Sequence, residues 1–315
     1  MNTRWNVAPG AGGSRDNGPP GRRLGVKRAC RSRRVEWHSK PMNVVITGAA
    51  GRLGRETMRT LLDAGHVVQG LDAVEACPPA PGPVRVCNLL ESAALADQWR
   101  GVDAVVHLAN HPTSYGCDAR TVFNENVMMN FNVAESARLA GVTRLIFSSS
   151  VQVMRAERFA GDGTSSRLLR LPLDGDYPAS PANPYALSKA FGEDQLRYFA
   201  ANHGMTAIAL RFPALFHQVP VIAGNEPHPS VPLDEGLTWL TYADAARCIR
   251  QALVAPLAGY HCYFPASARP WLRVPVETIR QRYFSNVPVT GETPLASLVD
   301  LRSLAAELDW APQDD

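Results

Sequence analysis

Three glycines in the first forty residues after Met42 constrain this chain more than anything else in it. Asn43–Thr47 is a short apolar run that reads as a buried strand, and Arg55–Ala64 has the period of a helix. Between them lies Thr47-Gly48-Ala49-Ala50-Gly51-Arg52-Leu53-Gly54, with glycines at three-residue spacing. Gly48 permits a tight turn, Gly51 lets backbone approach a pyrophosphate, and Gly54 lets the helix pack close on the strand. Arg52 and Leu53 sit at the helix start, where free N–H groups and the positive end of the helix dipole favour phosphate. A second strand, Val67–Leu71, ends at Asp72, 24 residues after Gly48. A carboxylate there accepts from the adenine-ribose hydroxyls and repels a 2′-phosphate. No Arg or Lys follows within Ala73–Ala76, so the pattern favours NAD over NADP.

Strands and helices go on alternating. Val84–Cys87, Ala104–Leu108, Arg144–Ser148 and Ala207–Phe212 read as strands, and Ala93–Arg100, Asn124–Ala140 and Tyr185–His203 as helices. Near-continuous Val, Ile and Leu in the strands means burial on both faces, hence an α/β fold with a doubly wound parallel sheet. Past Phe212 the prolines at 213, 220, 227, 229 and 232 break the pattern. Helices return at Tyr242–Val254, Val276–Phe284 and Leu301–Leu308. We read 42–212 as the nucleotide-binding domain and 213–315 as a small, loop-rich substrate lobe, too short and broken for a core of its own.

Residues 1–41 differ from the rest. They hold ten of the basic side chains against two acidic ones, a net +8, so that the overall +3 leaves −5 on the remaining 274 residues. The body therefore offers no nucleic-acid surface. Rich in Gly, Pro and Arg and poor in apolar residues, the segment reads as a disordered basic extension, or as sequence upstream of the functional start at Met42. Its prolines and glycines spoil a transit-peptide helix. No apolar run is long enough to span a bilayer. Six widely spaced cysteines without a Cys-x-x-Cys pair point to reduced thiols and a cytoplasmic protein. The spacings of His107, His111, His203 and His217 suggest no metal site.

Tyr185-Ala186-Leu187-Ser188-Lys189 sets a phenol and an ammonium four residues apart, on one helix face. The ammonium favours the phenolate and makes Tyr185 usable as a general acid/base. Phe147-Ser148-Ser149-Ser150 closes a strand, and strand C-termini of an open parallel sheet face the ligand crevice. A hydroxyl there, Ser150, can hold a substrate oxygen beside Tyr185.

Together these motifs resemble the extended short-chain dehydrogenase/reductases, the NAD-dependent epimerase/dehydratase family, over essentially all of 42–313. The matching residues include His107-Leu108-Ala109, Asn126-Val127, Phe147–Ser150 with Val153, Pro184–Lys189, Arg211 and Leu308–Pro312. The resemblance implies a Rossmann fold, an NAD cofactor and the catalytic set Ser150, Tyr185 and Lys189. It implies that Arg52 and Leu53 line the pyrophosphate, Asn88 and Leu89 meet adenine, and Leu108, Ala109 and Asn110 flank the cofactor. Lys189 would hold the nicotinamide ribose, Pro213 would pack by the nicotinamide, and Asn126 would support the site. It also implies a homodimer paired through the two long helices.

The chain departs from the pattern in several places. Asn88 stands where Asp is usual, and Met154 where Tyr is usual. Ala214 replaces an Asn of the sugar-nucleotide members, and Gly236-Leu237-Thr238 replaces a diphosphate-gripping Arg. Val151 and Gln152 replace the Asp-Glu pair of a dehydratase, so elimination chemistry is not expected. The expected activity is hydride transfer at a secondary alcohol of a sugar-type substrate, as a sugar or nucleotide-sugar epimerase. A sugar or uronate dehydrogenase, or another carbonyl reductase, is the alternative. A non-catalytic NAD-sensing protein is the third reading.

Overall fold

The computed structural model describes residues 40–112, 117–154, 168–219, 233–291 and 294–313. The basic extension, Cys30 and the proline-rich stretch at 220–232 lie outside the described residues.

Seven strands form one parallel sheet. They are β1 (Asn43–Thr47), β2 (Val67–Asp72), β3 (Val84–Val86), β4 (Ala104–His107), β5 (Arg144–Ser150), β6 (Thr206–Phe212) and β9 (Tyr260–Tyr263). Their order is β3-β2-β1-β4-β5-β6-β9. From β1 the chain winds outward first in one direction and then, crossing back to β4, in the other. The crevice above the C-terminal ends of β1 and β4 is therefore a topological switch point, where open α/β sheets bind ligands.

Side-chain alternation explains why both faces are covered. Val44 and Ile46 of β1, Val106 of β4, Ile146 of β5 and Ile208 and Leu210 of β6 enter one buried layer. Helices α1 (Arg52–Asp63), α5 (Tyr242–Val254) and α7 (Arg302–Leu308) close it, through Met58, Leu61, Ile249 and Leu304. Val45, Val105, Leu145 and Phe147 point the other way, under α3 (Ala119–Leu139) and α4 (Pro184–His203). Side chains cap both long helices: Asp118 accepts from Arg120 and Thr121 N–H at the start of α3, and Asn183 from Ala186 N–H at the start of α4. Pro184 follows at the first helical position, where a missing N–H costs nothing. Among the described residues no helix is long and apolar enough to cross a membrane.

Apart from helix α3, which starts at Ala119 rather than at the expected Asn124, the structure differs from the sequence reading in three respects. Helix α1 starts at Arg52 because Arg55 N–H already bonds the Gly51 carbonyl at 3.0 Å. Helix α2 is only Ser92–Leu95; beyond it Gln98 N–H bonds Leu95, a tighter turn that seats Trp99 in the core. The third concerns the C-terminal part, where three strands were not foreseen. The sheet extends past Phe212, since β9 pairs with β6. The lobe also has a core of its own, built from Leu171, Leu173, Trp239, Trp271, Phe284 and their neighbours around a small β7 (Ala214–Phe216)–β8 (Trp239–Thr241) pair. That core draws on Val151, Met154, Leu168, Leu171, Leu173 and Tyr177 as well as on the chain after 213, so the C-terminal segment need not supply it alone.

Arg211 of β6 locks the sheet to this lobe. Its guanidinium pairs with both Glu193 oxygens at 2.8 Å and donates to the Tyr177 carbonyl at 2.6 Å. Ser149 Oγ also donates to Glu193, at 2.6 Å. Both charged side chains are buried. Glu193→Gln would leave the buried guanidinium without a counter-charge, and stability in urea unfolding should fall by about 3–5 kcal/mol. An unchanged urea midpoint would show that the pair contributes nothing.

Candidate active site

A cleft of about 870 Å3 lies at the switch point. Its floor is the glycine turn. Gly48 has φ +74°, and a methyl on it would meet Ala109 N at 2.7 Å. A methyl on Gly54 would meet the Gly48 carbonyl oxygen at 2.1 Å. Only hydrogen fits at either position, so backbone rather than side chain forms this wall. No side chain caps α1 at Gly51, which leaves its first N–H groups to a ligand. Asp72, at the end of β2, accepts from Ala50 N–H at 2.9 Å, so the carboxylate is fixed against the turn. These features fit an adenine dinucleotide: a backbone cradle for the pyrophosphate and an oriented carboxylate for a ribose.

Gly48, Gly51, Arg52, Leu53, Gly54, Asp72, Asn88, Leu89, Leu108, Ala109, Asn110, Tyr185 and Lys189 all line the cleft, as the sequence reading expected. Asn88 is held by its own turn, donating to Glu91 Oε1 and accepting from Leu90 N–H. Three expected residues do not line it. Pro213 is buried, two residues before Leu215, which does line it. Asn126 sits one layer back, accepting from His111 N–H at 2.7 Å and donating to Ser188 Oγ at 3.0 Å, so it ties α3 to α4 and to the segment after β4. Ser150 is buried, and its Oγ accepts from Gln152 N–H at 3.2 Å. Its own proton has no acceptor among the described residues.

Lys189 is the electrostatic centre. It is 3% exposed. Its ammonium donates to Asn110 Oδ1 at 2.7 Å and to the Ser148 carbonyl at 2.8 Å, and lies 4.8 Å from the centre of the Phe147 ring and 5.7 Å from that of Tyr185. Burial pushes its pKa down to about 7.

The sequence reading gave no role to several polar groups here. His111 and Glu125 pair at 2.7 Å on the cleft wall. Asn130 and His107 are buried beneath Asn110. A signal existed for Asn130: it follows Asn126 by four residues, so both amides share the buried face of α3.

A family model described as the NAD dependent epimerase/dehydratase family matches residues 44–218. The uronate dehydrogenase of Pseudomonas putida is 30% identical over 231 residues, covering 72% of this chain and 77% of the relative. The UDP-glucose 4-epimerase of Azospirillum brasilense is 30% identical over 179 residues, covering 54% of this chain and 48% of the relative. A short-chain dehydrogenase/reductase superfamily protein from Agrobacterium tumefaciens, solved with bound NAD, shares the fold at a TM-score of 0.63. It is 20% identical and covers 86% of this chain and 92% of that one. By the glycine cradle, the Tyr-x-x-x-Lys pair and the length of these matches, the chain belongs to the NAD dependent epimerase/dehydratase family of extended short-chain dehydrogenase/reductases and is an NAD-dependent enzyme.

Proposed function

We propose that this enzyme oxidises a secondary hydroxyl of a free sugar, an aldose or a uronate, to the carbonyl with net formation of NADH. The observation that carries this reading is the wall of the cleft facing the lobe. Leu215 and Tyr242 line it. The positions where sugar-nucleotide members hold a diphosphate carry Ala214 and the turn Gly236-Leu237-Thr238, whose Leu237 side chain is buried in the lobe core. A nucleotide diphosphate would find no cation at either place. Relatives named uronate dehydrogenase and L-arabinose 1-dehydrogenase act on such substrates. The epimerase reading stays as the second, supported by the relative named UDP-glucose 4-epimerase.

The chemistry follows from the side chains. Tyr185 takes the substrate hydroxyl proton, and the Lys189 ammonium beside its ring favours the phenolate that does so. Ser150 turns its free O–H to the same substrate oxygen. Lys189 also holds the nicotinamide ribose. When bound, NAD supplies the acceptor for the hydride leaving the carbinol carbon. Asp72 selects it by binding the adenine-ribose hydroxyls, and Gly48, Gly51, Arg52, Leu53 and Gly54 hold the pyrophosphate. Asn88, Leu89, Leu108, Ala109 and Asn110 contact the rest of the cofactor, while Asn126 and Pro213 back the site from behind.

A second copy is the expected partner. Met128, Phe131, Leu187, Phe191 and Tyr198 lie exposed on α3 and α4, an apolar face too large to leave wet. In the dimer this face pairs into a four-helix bundle. The five described cysteines are free thiols, in keeping with the cytoplasm.

A panel of aldoses, uronates, sugar phosphates and UDP-sugars, followed by NADH absorbance and by NMR for epimers, tests the assignment. NADH should form stoichiometrically with a free sugar; epimers without NADH accumulation would overturn it. Tyr185→Phe keeps the ring and removes one oxygen. Turnover should fall roughly 10²–10⁴-fold, with NAD affinity nearly unchanged. Turnover equal to the parent's would reduce Tyr185 to a helix-face residue. Asp72→Asn should cost about 1.5–3 kcal/mol of NAD binding and narrow the gap to NADP, read by titrating both cofactors. Phe191→Arg should convert the dimer to a monomer in sedimentation; a monomeric parent would refute the partner assignment.

A further inference from the structure

Behind Lys189 lies a continuous chain of hydrogen bonds. Lys189 Nζ donates to Asn110 Oδ1 at 2.7 Å. Asn110 Nδ2 donates to Asn130 Oδ1 at 2.9 Å. The same Asn130 oxygen lies 2.9 Å from His107 Nε2, so that nitrogen carries the proton. His107 Nδ1 is then bare and accepts from Thr47 Oγ1 at 2.6 Å. Thr47 Oγ1 in turn accepts from Ala109 N–H at 3.3 Å. Thr47, His107 and Asn130 are all buried, and none lines the cleft.

The direction of this chain is forced. Among the described residues Asn130 Nδ2 has no hydrogen-bond partner, and it lies where a methyl on Gly192 would meet it at 2.8 Å. Turning the Asn130 amide over would set its N–H groups against that of Asn110. The Asn110 amide could then relax only by presenting N–H to the Lys189 ammonium. Burial, and secondarily the charge of Lys189, push the His107 pKa down to about 3, so the imidazole is neutral and its tautomer is fixed by its neighbours. The other titratable group facing Lys189 is Tyr185; Glu193, one turn on along α4, is held by Arg211.

We infer that Asn130, with His107 and Thr47 behind it, is a positioning residue for Lys189: it fixes the Asn110 amide with its oxygen toward the ammonium. Without the Asn130 oxygen the Asn110 amide is free to turn, and the buried ammonium loses one of its two acceptors. The inference rests on the proposed role of Lys189 in turnover, but its test need not. The chain has three lysines, Lys27, Lys40 and Lys189. Lysine isotopically enriched at the ε carbon therefore gives three NMR signals, and Lys189→Met identifies the third.

In the parent, the Lys189 signal should titrate well below the ordinary lysine range. Asn130→Leu should lower that midpoint by about one unit, the size expected for losing a hydrogen bond to a charged group. Asn110→Ala should lower it similarly, and the double variant no further, because both act through the same amide. Turnover of Asn130→Leu should fall roughly tenfold, with KM for NAD within about twofold of the parent. If Asn130→Leu does not fold, Asn130→Ser, too short to reach Asn110, serves with the same readout. An unmoved midpoint in either single variant, or shifts that add in the double, overturns the inference. Parent-like turnover in Lys189→Met would instead overturn the proposed function and leave the titration result standing.

Discussion

Everything in this molecule is arranged around a place where backbone meets backbone. At Gly48 the chain leaving β1 comes so close to the segment leaving β4 that no β-carbon fits, and at Gly54 the first turn of α1 presses on the same loop. That contact holds the ends of two neighbouring strands apart from any side-chain packing and opens the crevice between them. The rest of the sheet repeats a simpler rule: aliphatic residues on alternate sides, with helices covering both.

Within the crevice, burying an ammonium is the main electrostatic expense. Lys189 is withdrawn from water among Phe147, Tyr185 and two oxygen acceptors, and its pKa falls accordingly. Hydrogen bonds to the charged form oppose that fall, so the site's protonation balance rests on where a few neutral oxygens point. The Ser148 carbonyl is fixed by the β-sheet. Asn110 Nδ2 donates to Asn130 Oδ1 while its oxygen accepts from Lys189, which makes an amide on α3 part of the environment of an ammonium on α4.

The C-terminal lobe obeys a different constraint. Its segments are short and interrupted, and none could bury a face alone. They reach a packed state by combining 151–177 with β7, β8 and the turns around Trp271 and Phe284, and by anchoring on the sheet through Arg211 and Tyr177. Leu237 is drawn into that core with φ +54° and is fully buried there.

The sequence by itself determined six of the seven strands of the sheet, the glycine cradle, Asp72 and the Tyr185–Lys189 pair. Each is a local pattern: alternation in strands, a helical spacing of four, or a turn that only glycine can make. β9 was invisible because Tyr260-His261-Cys262-Tyr263 is an edge strand of mixed polarity, whose pairing with β6 depends on residues some fifty positions away. The lobe's core escaped for the same reason, since its two halves lie on either side of β6 in the chain. That Ser150 is engaged by Gln152, that Asn126 lies behind the cleft and that Asn130 meets His107 and Asn110 were decided only by tertiary structure. Sequence spacing can put two side chains on one face of a helix. Which oxygen of a buried amide faces which nitrogen is settled by elements that meet only in the folded protein.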